Sequence, residues 1–406
     1  MRPTFMRSAA LLTVAILAGC SGNGGSPVPS SGGLASDFVA RSQASAPVFE
    51  SCPSVARGED VRCFAQVRSD IRGLGPNSTP AGYGPAQLQS AYALPSSTNG
   101  AGQTVAIVDA YDDPNAEADL GVYRAQYGLP ACTTANGCFK KVNQSGVQGS
   151  YPAKNGGWAE EESLDLDMVS ANCPNCHIIL VEANSATNAN LGASVNEAIS
   201  LGANVVSNSY GGSESGATNS NYNHPGHIIT ASAGDSGTGA EQPCSYSTVV
   251  CVGGTTLNTA SNSRGWSETA WADSGSGCSA YVTKPSWQTD KGCTNRSEAD
   301  TSAVANPNTG VAVYDSYAYE GYEGWLVFGG TSVASPLIAS VYALAGNAAS
   351  ENYAQSIWAA GGTSSLNDVT SGSNGKCSKN YQYICNAGVG YDGPTGWGTP
   401  NGVGAF

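Results

Sequence analysis

Residues 104–111 have the sequence TVAIVDAY, a short and almost continuous apolar run that ends in a polar turn. Four later runs are also rich in valine and isoleucine and lead through polar or glycine-rich turns into helical stretches: HIILVEA (177–183), NVVSNSYG (204–211), HIITASAGDSG (227–237) and STVVCVGGT (247–255). Nearly continuous apolar strands that alternate with helices are typical of a parallel sheet covered on both faces. We therefore predict an α/β fold with a doubly wound, mostly parallel sheet and helices on both faces.

Polar side chains mark the ends of these predicted strands. In open parallel sheets the functional site lies at the carboxyl ends of the strands. Asp109, residues 207–210 and Asp235 occupy such ends. They are therefore candidates for a site along one edge of the sheet.

Composition narrows the class of partner. The 406 residues carry 17 Lys and Arg against 31 Asp and Glu, a formal net charge of −14. Such a balance argues against nucleic acid or an anionic membrane as a partner. Only 12% of the residues are charged and 52 are glycine, which suits an exported protein that works in acid, where many carboxylates are protonated.

The N-terminus has the layout of an export signal. Arg2 and Arg7 precede an apolar run, from Ala9 to Ala18, that is too short to span a bilayer. The run ends in Leu-Ala-Gly-Cys, which resembles a bacterial lipobox with Cys20 as the lipid-modified residue; the alternative is an ordinary signal with an incidental cysteine. We predict a signal peptide over residues 1–19, and an exported monomer that is held to the cell envelope only through lipid on Cys20, or secreted.

Two segments separate this signal from the main domain. Residues 20–45 are rich in Ser, Gly and Pro, which predicts a flexible tether. Residues 46–80 contain a basic cluster and are predicted to be a short N-terminal extension that packs on the acidic body as a pro-segment, or else a solvated arm. The arginines of this basic cluster are Arg57, Arg62, Arg68 and Arg72. The main domain is predicted over residues 81–406.

The cysteines also favour an oxidising compartment. Without Cys20, 12 of the 13 cysteines remain. Nearest-neighbour disulfides are the simplest interpretation, although spacing alone does not prove connectivity. The predicted pairs are 52/63, 132/138, 173/176, 244/251, 278/293 and 377/385.

A candidate nucleophile lies in FGGTSVASPLIAS, residues 328–340. Gly-Thr-Ser followed by Ala, Ser and Pro at a helix start is how subtilisin-like peptidases present their serine, here Ser332. Such a serine needs a base, which is usually a histidine. His177 opens an apolar strand, and His224 and His227 lie in a loop that leads into another. None is placed like a peptidase base, and the pair His224-x-x-His227 lacks further metal ligands nearby in the sequence.

The better candidates for activating Ser332 lie in GWAEEESLDLDMVSAN, residues 157–172. The apolar spacing predicts a helix, and Glu161 and Asp165 at positions i and i+4 share one of its faces. The alternative is an acidic helix start favoured by the helix dipole.

Several motifs, in the same order along the chain, resemble those of the sedolisins. These serine-carboxyl peptidases share the subtilisin-like fold but use glutamate in place of histidine. The resemblance extends over roughly residues 80–406. Its specificity lies in the combination of motifs, which are QLQSAYALP (87–95), WAEEESLD (158–165), SAGDSG (232–237), KPSWQ (284–288) and GGTSVASP (329–336).

The resemblance implies a role for each of four residues. Ser332 would be the nucleophile, Glu161 the general base and then acid, and Asp165 the group that orients Glu161. Asp235 would supply the oxyanion site, where a carboxyl group donates a hydrogen bond only while it is protonated. Glutamate, with an unperturbed pKa of about 4.3, is also a base matched to acid. The implied activity is an acid-acting endopeptidase that hydrolyses protein or peptide substrates.

The resemblance also implies one structural calcium ion near the C-terminus. The matching stretches are NDVTSGSNG (367–375) and NAGVGYDGPTGWGTPNG (386–402). A hard cation requires several oxygen ligands at once, and glycines let carbonyl groups turn inward. The alternative is an ordinary acidic, glycine-rich loop. The implied ligands are Asp368, the carbonyls of Val369, Gly388 and Gly390, and Asp392.

Three alternatives remain open at this point. CPNCH, residues 173–177, has the spacing of a c-type haem attachment site, although a small disulfide is the simpler interpretation. A non-catalytic surface protein that binds a peptide or another ligand on a peptidase fold is a second alternative, and a histidine-dependent subtilase is a third.

The N-terminal extension departs from the sedolisin pattern. Sedolisins usually carry a long folded pro-domain, whereas only about 60 residues separate Cys20 from the matching region.

Overall fold

The computed structural model of the chain describes residues 46–216 and 220–406. The predicted signal peptide (1–19), the lipid site at Cys20 and the tether (20–45) lie outside the described residues. Within the described ranges, no helix combines the length and the apolar character needed to cross a membrane.

The described residues form strands and α-helices that we number in chain order. The strands are β1 (Val48–Glu50), β2 (Arg62–Cys63), β3 (Gln66–Arg68), β4 (Thr104–Ala110), β5 (Phe139–Asn143), β6 (His177–Ala183), β7 (Val205–Asn208), β8 (Tyr210–Ser213), β9 (Ile228–Ser232), β10 (Glu241–Gln242), β11 (Val250–Thr259), β12 (Trp266–Ala270), β13 (Gly277–Thr283), β14 (Asn295–Glu298), β15 (Thr301–Val304), β16 (Val311–Tyr319), β17 (Tyr322–Gly329), β18 (Leu366–Asn367) and β19 (Thr399–Pro400). The helices are α1 (Pro85–Ala91), α2 (Ala116–Gln126), α3 (Gly156–Asn172), α4 (Asn188–Ser200), α5 (Thr331–Ala345), α6 (Gln355–Ala360) and α7 (Gln382–Cys385).

An eight-stranded sheet forms the centre of the molecule. Its strand order is β12-β11-β9-β7-β4-β6-β5, with β15 also paired to β11. All of these pairs are parallel except β11 with β12. The five predicted apolar runs are β4, β6, β7, β9 and β11, so the mostly parallel α/β sheet is confirmed.

Helices cover both faces of this sheet, as predicted. Alternate residues of a strand point to opposite faces, so β4 contributes to two cores. Val105 and Ile107 lie in one apolar core with residues of α3 and α5, whereas Ala106 and Val108 lie in another with residues of α4. Because β4 is buried on both sides, its sequence is apolar along nearly its whole length.

Helix α3 carries the predicted acidic pair into the interior. Asn155 caps its first turn, because the side chain accepts a hydrogen bond from the backbone N–H of Trp158 at 3.2 Å. All residues of α3 from Gly157 to Asn172 are buried. The carboxyl groups of this helix are therefore removed from water, unlike those of an ordinary acidic helix start.

Helix α5 begins at Gly330 and presents Ser332 in its first turn. Gly330 has φ +97°, a backbone conformation that side chains other than glycine rarely adopt. Pro336 lies inside the helix and has no N–H to bond the carbonyl of Ser332 four residues earlier. That carbonyl instead accepts a weak hydrogen bond from Ser209 Oγ at 3.4 Å. The proline therefore helps to join the start of α5 to the end of β7.

The N-terminal extension is part of the fold rather than a solvated arm. Strand β3 extends a four-stranded sheet in the order β1-β3-β17-β16, and β2 pairs with β8. Two of its arginines form ion pairs within the extension, Arg62 with Glu50 at 3.0 Å and Arg68 with Asp70 at 2.7 Å. Backbone pairing with β8 and β17, together with burial, holds the extension in place.

The six predicted disulfides are all present: Cys52–Cys63, Cys132–Cys138, Cys173–Cys176, Cys244–Cys251, Cys278–Cys293 and Cys377–Cys385. The C-x-x-C-H motif therefore forms a small disulfide loop between α3 and β6, as the simpler interpretation predicted. Its sulfurs are not available to bind haem.

Candidate active site

Ser332 lies in the first turn of α5, beside α3 and the end of β7. Its Oγ lies 3.2 Å from the carbonyl oxygen of Ser209, to which it is placed to donate a hydrogen bond. Its hydroxyl also lies near the carboxyl group of Glu161, close enough to lower the pKa of that carboxyl. The side chain of Ser332 is fully buried. The structure thus brings together the predicted nucleophile and the predicted base.

Glu161 lies on α3 and is fully buried. Burial raises the pKa of its carboxyl group well above the usual value, and the negative charge of Asp109 raises it further. The nearby hydroxyl of Ser332 and the backbone N–H of Ala65, which donates to Oε2 at 2.7 Å, act in the opposite direction. Glu161 therefore holds a proton more tightly than an exposed glutamate does.

Asp165 lies one turn further along α3 and is also fully buried. Ser209 Oγ lies 2.8 and 2.9 Å from its two carboxyl oxygens. Burial raises its pKa well above the usual value, and the charges of Asp109 and Glu161 add to this increase. Ser209 contacts Asp165 through its hydroxyl and Ser332 through its carbonyl, so one residue positions both groups.

Asp235 follows β9 and faces the start of α5. Its Oδ1 accepts hydrogen bonds from the N–H of Thr331 at 2.8 Å and from Thr331 Oγ1 at 2.7 Å. Its Oδ2 accepts one from Gln66 Nε2 at 3.1 Å. Burial raises the pKa of Asp235 to about 7, although the bonds from Thr331 oppose this change. At acid pH this group is a protonated carboxyl at the N-terminus of the nucleophile's helix.

Asp109 is a fourth buried acid in this region, to which the motifs assigned no role. It lies in β4, and neither of its carboxyl oxygens has a hydrogen-bond partner among residues 46–216 and 220–406. Burial raises its pKa to about 8. Its position at the carboxyl end of a predicted strand made it a candidate for the site, and the same pattern made Ser209 a candidate. We call Asp109, Glu161, Asp165 and Asp235 the carboxyl cluster.

Residues 48–68, which we call the covering segment, lie over this site. Ser51 Oγ donates to Glu160 Oε2 at 2.6 Å, Ala65 N–H donates to Glu161, and the Gln66 side chain donates to Asp235. Nothing in the sequence pattern predicted these contacts, which join residues 96 to 169 positions apart. The covering segment contributes to the burial of the catalytic groups.

The histidines lie elsewhere. His224 Nε2 is hydrogen-bonded to Asn196 Oδ1 at 2.9 Å, and His227 Nδ1 is hydrogen-bonded to the carbonyl of Ala203 at 2.8 Å. His177 is exposed at the start of β6. In the described part of the chain the Ser332 hydroxyl bonds to the carbonyl of Ser209 and lies near Glu161, so this geometry favours a carboxyl base over a histidine.

The predicted calcium ligands lie in two loops that meet near the C-terminus. Asp368 Oδ2 accepts a hydrogen bond from the N–H of Gly390 at 2.9 Å, and Asp392 Oδ2 accepts one from the N–H of Gly388, also at 2.9 Å. Burial raises the pKa of Asp392 to about 7, and the charge of Asp368 adds to the increase. Val369 adjoins Asp368 in the first loop and is buried.

These loops contain two carboxylates and several backbone carbonyls. In residues 46–216 and 220–406 no group of three or more His, Cys, Asp or Glu side chains is arranged to hold a metal ion. The implied calcium site has only two carboxylates and takes its other ligands from carbonyl groups, so it stays a prediction. The donor set is all oxygen, as a hard cation prefers.

Comparisons with known proteins find similarity to peptidases. No protein-family profile matches the chain. Sedolisin of Pseudomonas sp. (strain 101) is 29% identical over 364 residues, which cover 79% of this chain and 60% of sedolisin. Kumamolisin of Bacillus sp. (strain MN-32) is 28% identical over 384 residues, which cover 84% of this chain and 66% of kumamolisin. The chain thus matches less than two thirds of the length of either relative.

Solved structures show the same relationship in three dimensions. Pseudomonas sedolisin, a serine-carboxyl proteinase complexed with two molecules of pseudo-iodotyrostatin, has a TM-score of 0.67 and 26% identity, covering 80% of this chain and 96% of that structure. Sphericase has a TM-score of 0.50 and 17% identity, covering 80% of this chain and 98% of its own, and so supports the fold alone. The predicted subtilisin-like fold is confirmed, and in sequence and in structure the chain is similar to the sedolisins.

Proposed function

We propose that this protein is an exported, acid-acting serine-carboxyl endopeptidase that cleaves protein or peptide substrates through an acyl-enzyme on Ser332. The observation that carries the proposal is the placement of buried Ser332 beside the carboxyl group of Glu161, in a site that has Asp235 at the helix start. The similarity to sedolisin and kumamolisin supports the same assignment. Neither a binding protein nor a histidine-dependent hydrolase accounts for this arrangement as directly.

The first step forms the acyl-enzyme. Ser332 Oγ attacks the carbonyl carbon of the substrate while ionised Glu161 takes the hydroxyl proton. Negative charge develops on the carbonyl oxygen, and protonated Asp235 donates a hydrogen bond to it. When the C–N bond breaks, Glu161 returns the proton to the leaving amine, and the acyl group remains on Ser332.

The second step releases the acyl group. A water molecule attacks the ester carbon, and Glu161 accepts a proton from this water. The ester C–O bond then breaks, and Glu161 returns the proton to Ser332 Oγ. The two steps consume one water molecule and one peptide bond, and they produce a carboxylic acid and an amine.

Two carboxyl groups must therefore hold different protonation states in one site. Asp235 is protonated below about pH 7, the value to which burial raises its pKa. Glu161 must lose its proton to act as a base, and hydrogen bonds from neighbouring donors lower its pKa relative to burial alone. Asp165 orients Glu161 in this scheme, and the carboxyl cluster shares its protons as a coupled set. The need for a protonated Asp235 sets the upper limit of activity near pH 7, and this is why we propose activity on the acid side of neutrality.

We also propose one structural calcium ion in the C-terminal loops. Asp368 and Asp392 would supply carboxylate oxygens, and Val369, Gly388 and Gly390 would supply carbonyls. Calcium would neutralise the two carboxylates and tie the loops together, and it would take no part in the chemical steps. Both carboxylates accept N–H groups from the second loop, which places them beside the same stretch of backbone.

Export is proposed from the N-terminal sequence, with lipid on Cys20 as the anchor and a monomer as the functional unit. Mass spectrometry of the mature N-terminus tests the anchor. A lipid-modified Cys20 supports it, whereas an unmodified N-terminus beyond residue 20 rejects it.

The central test is hydrolysis of a denatured protein by the purified chain, measured from about pH 3 to pH 8, with Ser332→Ala as the matched control. We expect activity with a maximum below pH 7 that is lost in the variant. Folding of the variant is checked by circular dichroism. Hydrolysis that persists in folded Ser332→Ala would reject the proposed function.

A further inference from the structure

The covering segment crosses the candidate active site in an extended conformation. Arg62 and Cys63 pair in antiparallel register with Gly211 and Tyr210 of β8. After the site, β3 pairs in antiparallel register with the end of β17, directly before α5. The covering segment therefore passes between β8 and β17 and makes backbone pairs with both. An extended peptide binds along a strand edge in the same way.

The peptide bond between Phe64 and Ala65 lies at the catalytic groups. The N–H of Phe64 donates to the carbonyl of Ser209 at 3.3 Å, and Ser332 Oγ lies 3.2 Å from the same oxygen. The N–H of Ala65 donates to Glu161 Oε2 at 2.7 Å. In the proposed mechanism Glu161 gives its proton to the leaving nitrogen, so the nitrogen of Ala65 stands where a leaving nitrogen would be.

The carbonyl oxygen of Phe64 lies on the side of the oxyanion group. A Cβ atom added at Gly330 would overlap this oxygen and would lie 2.8 Å from Asp235 Oδ2. Both atoms therefore adjoin the Cα of Gly330. This placement, together with the bond from Ala65 to Glu161, puts Phe64 in the position of the residue immediately before a cleaved bond.

The side chain of Phe64 fills a pocket next to β8. Phe64 is only 1% exposed. A Cβ atom added at Gly211 would lie 2.8 Å from Cε2 and Cζ of the Phe64 ring and 3.0 Å from Glu241 Oε2. A Cβ atom added at Gly234 would lie 3.2 Å from Glu241 Cδ. Gly211 thus leaves room for the ring and Gly234 leaves room for the carboxyl group of Glu241, which lies near the far end of that ring.

We propose that this pocket selects the substrate residue immediately before the cleaved bond, that it takes an aromatic side chain, and that Glu241 is its specificity-determining residue. The inference rests on the proposed endopeptidase function and adds the substrate class. Glu241 is positioned near the place where the hydroxyl of a tyrosine would lie if tyrosine replaced Phe64. A carboxyl group can donate to or accept from that hydroxyl. The pocket therefore prefers tyrosine to phenylalanine, and both to aliphatic or charged residues.

The charge of Glu241 favours this order over a preference for lysine or arginine. Burial raises the pKa of Glu241, while the nearby guanidinium of Arg62 lowers it. In acid the carboxyl group is more often neutral than an exposed glutamate, which weakens its attraction for a cationic substrate residue. Arg62 lies over the Phe64 ring, with its guanidinium carbon 5.1 Å from the ring centroid, and like Phe64 it belongs to the segment that a substrate would replace.

The first experiment maps the cleaved bonds. The purified full-length chain digests a denatured protein mixture at about pH 4, and mass spectrometry identifies the new termini, with Ser332→Ala as the blank. We expect tyrosine and phenylalanine to dominate the position before the cut, in added proteins and at Phe64 of the chain itself. Ser332-dependent cleavage without this preference would overturn the pocket assignment and leave the proposed function standing. Absence of Ser332-dependent cleavage of any kind would remove the proposed function and this inference with it.

The second experiment isolates Glu241. Two peptides that differ only in tyrosine or phenylalanine before the bond are compared by kcat/KM with the wild type, Glu241→Leu and Glu323→Leu. Glu323 is exposed on β17 and serves as the matched control. The wild type and the control should favour tyrosine about 5- to 10-fold, the ratio that one hydrogen bond supplies. Glu241→Leu should reduce this ratio to about 1. An unchanged ratio in folded Glu241→Leu, or faster cleavage after lysine than after tyrosine by the wild type, would reject Glu241 as the determinant.

Discussion

The carboxyl cluster around Ser332 and the C-terminal loops differ in what surrounds their acids. The cluster is buried beneath the covering segment, and Asp109 has no hydrogen-bond partner in the described ranges. In the loops, Asp368 and Asp392 accept N–H groups on either side of Val389, which is 92% exposed. Protons can neutralise charge in a desolvated site, whereas a hydrated cation can reach an open loop. The comparison suggests that the same residue type serves proton transfer in one place and metal binding in the other.

The largest expected effect separates a carboxyl base from a histidine base. Glu161→Gln removes the proton acceptor of Ser332 but preserves the shape of the side chain, so kcat should fall about 10²- to 10⁴-fold. A variant in which His177, His224 and His227 are all replaced should keep the pH profile, because these residues lie outside the site. A folded triple-histidine variant without activity, beside a fully active Glu161→Gln, would show that the cluster is not catalytic.

The cluster should also make the fold more stable in acid than at neutral pH. Burial raises the pKa of Asp109 to about 8 and that of Asp235 to about 7, whereas an unfolded aspartate has a pKa of about 3.9. The folded protein therefore binds these protons more tightly than the unfolded chain. The contribution of these bound protons to the free energy of unfolding is fully present below about pH 4. It is lost as the pH rises through 7 to 8, a change on the order of several kcal/mol.

Thermal unfolding between pH 4 and pH 8 tests this expectation. The melting temperature of the wild type should decrease with rising pH across this range. Asp109→Asn cannot ionise and should flatten the decrease. A wild-type melting temperature that instead increases from pH 4 to pH 8 would mean that the cluster does not control stability.

Asp235 should show a smaller effect on the alkaline side of the activity profile. Removing the donor in Asp235→Ala should reduce kcat by about 10²- to 10³-fold. Asp235→Asn should cost less, and because an amide donates at any pH it should extend activity above the apparent pKa near 7. Rate measurements from pH 4 to pH 9 compare the two variants. An alkaline limb that is identical in Asp235→Asn and the wild type would assign that limb to another group.

Calcium should have the smallest effect, and its pH dependence should be opposite to that of the cluster. At 100 times the dissociation constant a bound ion adds about 2.7 kcal/mol to the free energy of unfolding. The increase should weaken in acid, because Asp392, whose pKa is raised to about 7 in the unliganded loop, must lose its proton to bind. Melting curves with calcium or with a chelator measure this increase in stability, and Asp368→Asn serves as the variant that lacks one carboxylate ligand. Equal curves in metal-free and calcium-loaded wild type would remove the site.

Much of the fold was predictable because it depends on local patterns. The alternation of apolar strands and helices is visible in any short window, and it identified β4, β6, β7, β9 and β11. The disulfides were predictable for a related reason, since each joins cysteines that are neighbours in sequence. The short strand β5, with sequence FKKVN, carries two lysines and gave no such signal. Lys140 is half-buried at the edge of the sheet, and Lys141 is buried but paired with Asp112 at 2.6 Å and Glu182 at 2.7 Å.

The site was predictable only in part. Spacing placed Glu161 and Asp165 on one helix face, and family resemblance linked them to Ser332 and Asp235. The contact of Ala65 with Glu161 could not be predicted, because it depends on how two segments 96 positions apart meet in space. The arginines of the extension suggested that it packs against the body, but they pair mainly within the extension itself. Backbone pairing with β8 and β17, which has no residue signature, is what positions it.

The short span of the disulfides determines how the molecule would respond to a single backbone cut. The six bonds join residues that are only 3 to 15 positions apart. A nick outside these small loops would therefore leave two fragments with no covalent link through these bonds, held together by packing alone. The bond after Phe64 lies just outside the loop closed by Cys52 and Cys63. Cleavage there would separate the two fragments on a denaturing gel without reductant, whereas a cut between Cys278 and Cys293 would require reductant to be seen.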